Sequence, residues 1–104
     1  MDSLLEDNAQ CVRTAVAILG DKWTPLIIRA LAERSQRFCR LQDDVGGINP
    51  RTLSARLDAL EEAGIIEHAA VEDQPSHMGY QLTSKGTDLL PILEAMTAWG
   101  AKYK

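Results

Sequence analysis

The sequence has little of what marks several common classes of protein. Its two cysteines, Cys11 and Cys39, lie far apart in 104 residues, so a disulfide framework is excluded and reduced thiols are expected. No apolar run approaches the length of a membrane span, and the acidic start lacks the hydrophobic stretch of a signal peptide. We therefore expect a cytoplasmic protein with no membrane contact, folded as a single domain over residues 1–104.

Patterns for catalysis and metal binding are also missing. There is no nucleophile with a paired base, no glycine-rich phosphate loop and no pair of carboxylates placed by a motif. The soft metal ligands are Cys11, Cys39, His68 and His77, and none are paired at ligand spacing. We predict no enzymatic activity, no cofactor and no metal site. A regulator that responds to a metal or another non-covalent ligand is an alternative.

Basic residues are a minority overall but are concentrated in the middle of the chain. The net charge is −4, yet residues 22–56 contain seven Lys or Arg and three acids, which gives that stretch +4. Affinity for phosphate depends on such a local patch more than on the total charge. The distribution therefore favours a nucleic-acid-binding surface.

The segment from Asn49 to Gly64 predicts a helix with a marked start and end. Asn49 is a candidate N-cap, Pro50 falls at the first helical position, and Gly64 supplies a left-handed residue after the last turn. Leu53 and Leu57 begin an inward apolar stripe. The opposite face carries polar or small residues near its N-terminal end, which suits a DNA major groove. Taken alone, this helix could equally present an ordinary solvated face.

The flanking segments predict a winged helix-turn-helix. Helices are expected over residues 9–19, 22–33 and 39–45, with a glycine-containing turn at 46–49. Residues 65–71 and 80–83 are predicted strands separated by a loop at 72–79. The fold class is mainly α with a small β-hairpin (α+β), with about five helices and a two- to three-stranded wing sheet.

The last helix is expected from residue 83 or 84 to 103, with a kink or a later start caused by Pro91. It is more apolar than packing within one domain requires, so we predict a DNA-binding core at 9–83 and a dimerisation helix at 84–104. Packing across its own domain is the alternative. The predicted dimer contacts are Val12, Leu89, Ile92, Leu93, Met96, Trp99 and Tyr103.

The sequence resembles the HxlR family of winged helix-turn-helix regulators, relatives of the MarR group. The resemblance covers residues 11–100. It is carried by LGDKWT at 19–24, INPRTLSARL at 48–57, LEEAGII at 60–66, YQLTSKG at 80–86 and shorter matches at 11–13, 37–38 and 99–100.

The resemblance implies a homodimer that binds operator double-stranded DNA, and we expect a repressor. Arg51 and Ser54 are best placed for base edges, while the other basic residues suit phosphates. A winged helix used only for protein contacts is an alternative, which the basic centre disfavours. The predicted DNA-binding residues are Lys22, Arg37, Arg40, Asn49, Pro50, Arg51, Thr52, Ser54, Ala55, Arg56 and His77.

The predicted wing departs from the family pattern. Members often carry Arg or Lys there, whereas residues 72–78 include two acids and no fixed base. A narrow minor groove repels acids, although His77 could donate a hydrogen bond. We therefore expect the helix at 49–64 to supply most of the sequence specificity.

The resemblance also suggests a sensing residue. Many members respond to quinones, aldehydes, hypochlorite or other electrophiles through a cysteine near the N-terminus, and Cys11 matches that position. At the start of the helix predicted at 9–19, the helix dipole would favour its thiolate. The alternative is a small buried helix-start residue without a signalling role. Cys39 is expected to pack as a small hydrophobe, and no disulfide between the two is expected within one chain.

Overall fold

The architecture is that of a winged helix-turn-helix, as predicted. A computed structural model describes the backbone of residues 2–104 and the side chains from Asp7 onwards. The elements in chain order are α1 (Asp2–Leu19), α2 (Thr24–Glu33), α3 (Phe38–Val45), α4 (Pro50–Glu62), β1 (Ile66–Val71), β2 (Gln74–Leu82), α5 (Ser84–Thr87) and α6 (Leu90–Tyr103).

The ends of α4 follow from the residues that the sequence provides. Asn49 Oδ1 accepts a hydrogen bond from Thr52 N at 2.8 Å, and Pro50 occupies the first turn. After α4, Gly64 has a φ of 76°, its N–H donates to Glu61 O, and Ile65 N–H donates to Leu60 O. This paired bonding satisfies carbonyls that a helix end otherwise leaves free. The predicted start and stop of this helix are confirmed.

The hydrophobic core lies where α2, α3, α4 and β1 meet. Leu53 and Leu57 of α4 are fully buried beside Ile27 and Leu41, and each such side chain contributes about 1.5–3 kcal/mol when it leaves water. Trp23 is half-buried against this core. The stripe at 3.6-residue spacing therefore orients α4, so its other face must point outward.

The wing is longer than the sequence suggested. The segment 72–79 was expected as a loop because of its Asp, Pro, Ser and Gly content, but β2 already begins at Gln74. Ala70 pairs with Met78 and Val71 with Gln74, with a register shift between them. Only Glu72 and Asp73 form the turn. Pro75 is tolerated because a strand of a two-stranded sheet keeps one edge free of pairing.

A third segment pairs with the wing through one bridge. Gln36 and Tyr80 exchange backbone hydrogen bonds of 3.0 and 2.8 Å. Beside this bridge a Cβ added to Gly79 would lie 2.4 Å from Gln36 O, so a larger residue would push the segments apart. The close approach joins the wing to the segment between α2 and α3.

The helical ends of the chain differ from the prediction. The helix expected at residues 9–19 begins at Asp2. The helix expected from residue 83 or 84 is divided into the single turn α5 and the longer α6, with Pro91 in the first turn of α6. Pro91 thus produces the later start, one of its two expected effects. Among the described residues, no helix is both long enough and apolar enough to cross a bilayer.

Candidate nucleic-acid interface

The outward face of α4 begins at its N-terminal turn. Arg51, Ser54 and Ala55 are exposed, and Thr52 is half-buried beside the cap. Asp58 and Glu62 continue the same face one and two turns later. A donor-bearing first half followed by acids restricts any favourable contact with phosphate to the N-terminal part of this helix.

Arg56 forms an ion pair with Asp21, which lies just before α2. Its Nη1 lies 3.7 Å from Asp21 Oδ2, with both side chains partly exposed. Asp21 Oδ1 also accepts hydrogen bonds from Trp23 N and Thr24 N, both at 2.8 Å, so its side chain caps the start of α2. Arg56 therefore joins α4 to α2 while keeping part of its guanidinium in solvent.

Opposing effects act on the Asp21 carboxyl. Burial alone would raise its pKa, but hydrogen bonds from Thr24 Oγ1, Thr24 N and Trp23 N, together with the Arg56 guanidinium, lower the pKa below its ordinary value. Asp21 is therefore a carboxylate at neutral pH. Its negative charge orients Arg56, a contact that the sequence did not indicate because the two residues are 35 positions apart.

The other predicted phosphate contacts lie on α3 and at the start of α2. Arg40 is exposed on α3, and Arg37 precedes that helix with its Nη1 donating to Gln74 Oε1 of the wing at 3.4 Å. Lys22 is exposed, with its Nζ 4.6 Å from the centre of the Trp23 ring. These side chains extend the basic surface from α4 towards the wing.

The wing presents an acidic turn and an exposed strand. Glu72 and Asp73 form the turn, and His77 and Met78 are exposed on β2. The acids therefore lie at the tip, as the sequence implied, while His77 lies along the strand rather than in a loop.

A cluster that the sequence did not indicate joins α4 to the wing. His68 Nδ1 of β1 lies 2.5 Å from Glu61 Oε2, and the His68 ring packs on Tyr80 with centroids 4.6 Å apart. Burial, then the charges of Glu61 and Asp58, raise the pKa of Tyr80. The three side chains connect α4 to the hairpin. They were missed because their pairing depends on the register of the hairpin.

The two cysteines are placed differently from the expectation. Cys11 is exposed, but it lies well inside α1, because that helix begins at Asp2. The dipole argument for its thiolate is therefore wrong, since that effect is confined to the first turn of a helix. Cys39 was expected to be packed but is exposed in the first turn of α3.

A continuous apolar surface lies along α1 and α6. Side chains of α1 and α6 line a nearly non-polar groove of about 310 Å³ that includes Val12, Val16, Ile92 and Met96. Trp99 and Tyr103 continue along α6 and are 69% and 61% exposed. Isolated exposed apolar residues are common, but a contiguous set marks an interaction surface. We call these six residues the α1/α6 face.

Two residues predicted as dimer contacts are not part of the α1/α6 face. Leu93 is only 8% exposed and belongs to the core, and Leu89 is half-buried against it. The reason is that one side of α6 packs on α2 while the adjacent side remains free. Leu93 is therefore withdrawn from the predicted interface. Among the described residues no group of three or more His, Cys, Asp or Glu is arranged to hold a metal ion.

The fold and the exposed face of α4 define a winged helix-turn-helix protein, in which α4 is the second helix of the helix-turn-helix. The chain belongs to the HxlR-like helix-turn-helix family, whose model matches residues 18–104. It is 35% identical over 101 residues to the HTH-type transcriptional regulator YvaP of Bacillus subtilis, covering 95% of this chain and 94% of that protein. It is thus a transcriptional regulator of the helix-turn-helix type.

Solved structures of regulators share this fold. The quinone-bound form of YodB from Bacillus subtilis superposes with a TM-score of 0.74 at 32% identity, covering 88% of this chain and 96% of that chain. The oxidised form of the redox regulator HypR superposes with a TM-score of 0.79 at 26% identity, covering 89% and 96%.

Proposed function

We propose that this protein is a homodimeric repressor that binds operator double-stranded DNA, with α4 of each subunit in a major groove. The exposed N-terminal half of α4 is the observation that carries this proposal. Arg51 and Ser54 lie on its outward face, and an arginine there can bind a guanine edge through two hydrogen bonds. The leucines on the other side hold the helix in this orientation.

The surrounding charges support binding to the DNA backbone. Arg56 lies on α4 itself, and Lys22, Arg37 and Arg40 lie on neighbouring segments. Each of the four keeps at least part of its side chain in solvent. Phosphate contacts of this kind position a helix without reading the sequence. The first half of α4 and its cap are also proposed to lie close to the duplex; these residues are Asn49, Pro50, Thr52 and Ala55.

The wing is proposed to contribute less than α4. Its turn carries Glu72 and Asp73, which disfavour a close approach to phosphates, and His77 is the hydrogen-bond donor predicted for the wing. The sequence preference should therefore arise mainly from the two major-groove half-sites.

Selection of bound duplexes from a random DNA library tests this function. We expect an inverted repeat whose half-sites are separated by about one helical turn, because two-fold symmetry places two copies of α4 on one side of the duplex. Binding to the selected site should weaken steeply between about 50 and 200 mM salt, as counterion release requires. Recovery of no sequence above background, with the protein folded, would contradict the proposal.

We further propose that Cys11 responds to an electrophile or oxidant. Cys11 is exposed and directly precedes Val12 of the α1/α6 face, so an adduct would add bulk beside the proposed dimer contact. The quinone-bound YodB and oxidised HypR relatives support a search among such reagents.

Operator binding with and without a quinone separates this sensing role from a structural one. The wild type should lose affinity after treatment, and Cys11→Ser should bind DNA equally well before and after it. Cys39→Ser is the matched control and should still respond. Equal loss of affinity in the Cys11→Ser variant would remove Cys11 as the sensor.

A further inference from the structure

A second thiol lies in a cavity between α3 and the wing turn. The cavity has a volume of about 170 Å³, and its lining includes Cys39, Arg34, Arg37 and Arg40 together with Asp73. Cys39 is exposed in the first turn of α3. We call this feature the Cys39 cavity.

The Cys39 cavity is electropositive. Three arginines and one aspartate line it, so its formal lining charge is +2. Arg34 and Arg40 are exposed, whereas Arg37 is half-buried and donates to Gln74 at 3.4 Å. A concave site with one dominant sign of charge concentrates small ions of the opposite sign. A reagent that carries a carboxylate is therefore drawn towards the Cys39 sulfur.

We propose that Cys39 is a modification site for small disulfides that carry a carboxylate. The Cys39 thiolate attacks one sulfur of the disulfide, so a bond forms between Cys39 Sγ and that sulfur while the S–S bond of the reagent breaks. The other half of the reagent leaves as a thiolate and takes up the proton that Cys39 released. Cys39 is oxidised to a mixed disulfide, and the departing half is reduced to a thiol.

The adduct has a consequence for DNA, which rests on the proposed function. The added carboxylate would lie beside Arg37 and Arg40, two of the proposed phosphate contacts. It would therefore reduce the positive charge that the duplex meets. This places a charge-selective thiol within the DNA-binding half of the chain, separate from Cys11 on α1.

The reaction rates of two matched reagents test the site. N,N′-diacetylcystine carries two carboxylates, whereas its dimethyl ester has the same disulfide and no charge. Intact-mass measurement follows adduct formation on Cys11→Ser, where Cys39 is the remaining thiol, and on Cys39→Ser, where Cys11 remains. The ratio of the anionic rate to the ester rate should be about tenfold higher at Cys39 than at Cys11.

Arg34→Gln in the Cys11→Ser background removes one charge of the cavity without touching a proposed DNA contact. It should lower the rate ratio at Cys39, and high salt should do the same. Equal ratios at the two cysteines, or a ratio that Arg34→Gln leaves unchanged, would overturn the proposal.

Operator binding separates the proposed effect on DNA affinity from the reactivity of Cys39 itself. Loss of affinity after Cys39 is modified supports regulation, and unchanged affinity of the modified protein overturns it. If the untreated protein binds no operator, the proposed function fails, while the rate ratios still decide whether Cys39 is a charge-selective site.

Discussion

Arg51→Ala is expected to remove most of the sequence discrimination while leaving the fold intact. Arg51 is exposed at the first turn of α4, and the buried stripe of that helix does not include it. A two-bond arginine–guanine contact contributes about 1–3 kcal/mol of discrimination, which corresponds to roughly 5- to 150-fold in affinity for each half-site. Titration of labelled operator, with thermal unfolding measured in parallel, checks both expectations.

Two variants of α4 serve as controls for Arg51→Ala. Glu62→Ala alters the last turn of the same helix on the same face, beyond the proposed contact, and should change affinity little. Arg51→Lys keeps the charge but loses the two-pronged donor geometry, so it should retain non-specific binding and lose discrimination. If Arg51→Ala binds operator as tightly as the wild type, α4 does not read DNA through this residue.

Trp99→Glu is expected to convert the protein to monomers and to weaken operator binding by about 10²- to 10⁴-fold, because the second half-site would no longer be reached within one complex. Trp99 is 69% exposed on the α1/α6 face, so the isolated subunit should tolerate the change. In a dimer a buried, unpaired carboxylate would be strongly disfavoured. Analytical ultracentrifugation and operator titration measure the two effects.

Glu94→Gln is the matched control for Trp99→Glu. Glu94 is exposed on α6 and lines a different cavity, together with Arg29 and Thr97, so the variant should remain dimeric. A Trp99→Glu protein that sediments as the wild type does, with unchanged operator affinity, would exclude this surface as the dimer contact.

Short-range patterns predicted α4 well. Asn49 and Gly64 act through hydrogen bonds between residues at most five positions apart, and Pro50 acts through its fixed φ and missing N–H. Their effect is therefore visible in the sequence itself. The leucine stripe likewise needs only the helical period to identify the buried side. For these reasons the exposed face of α4, and with it Arg51 and Ser54, could be specified from local sequence patterns alone.

Long-range contacts were not predictable in the same way. Wing strand β2 extends through residues that individually favour a loop, because β1 supplies its hydrogen bonds across a two-residue turn. The position of Cys11 within its helix depends on where α1 begins, and the upstream residues gave too weak a pattern to place that start. Helix propensity is only a weak guide where a terminal segment has few such signals.

The sequence by itself determined the winged helix-turn-helix class, the orientation of α4 and the excess of apolar residues in the last helix, because caps and periodicities act over one or two helical turns. Only the tertiary structure decided which apolar residues of α6 are buried, with Leu93 in the core and Trp99 exposed. Only the tertiary structure places Arg56 beside Asp21 and three arginines around Cys39. These arrangements depend on how separate elements pack, and no local pattern encodes that geometry.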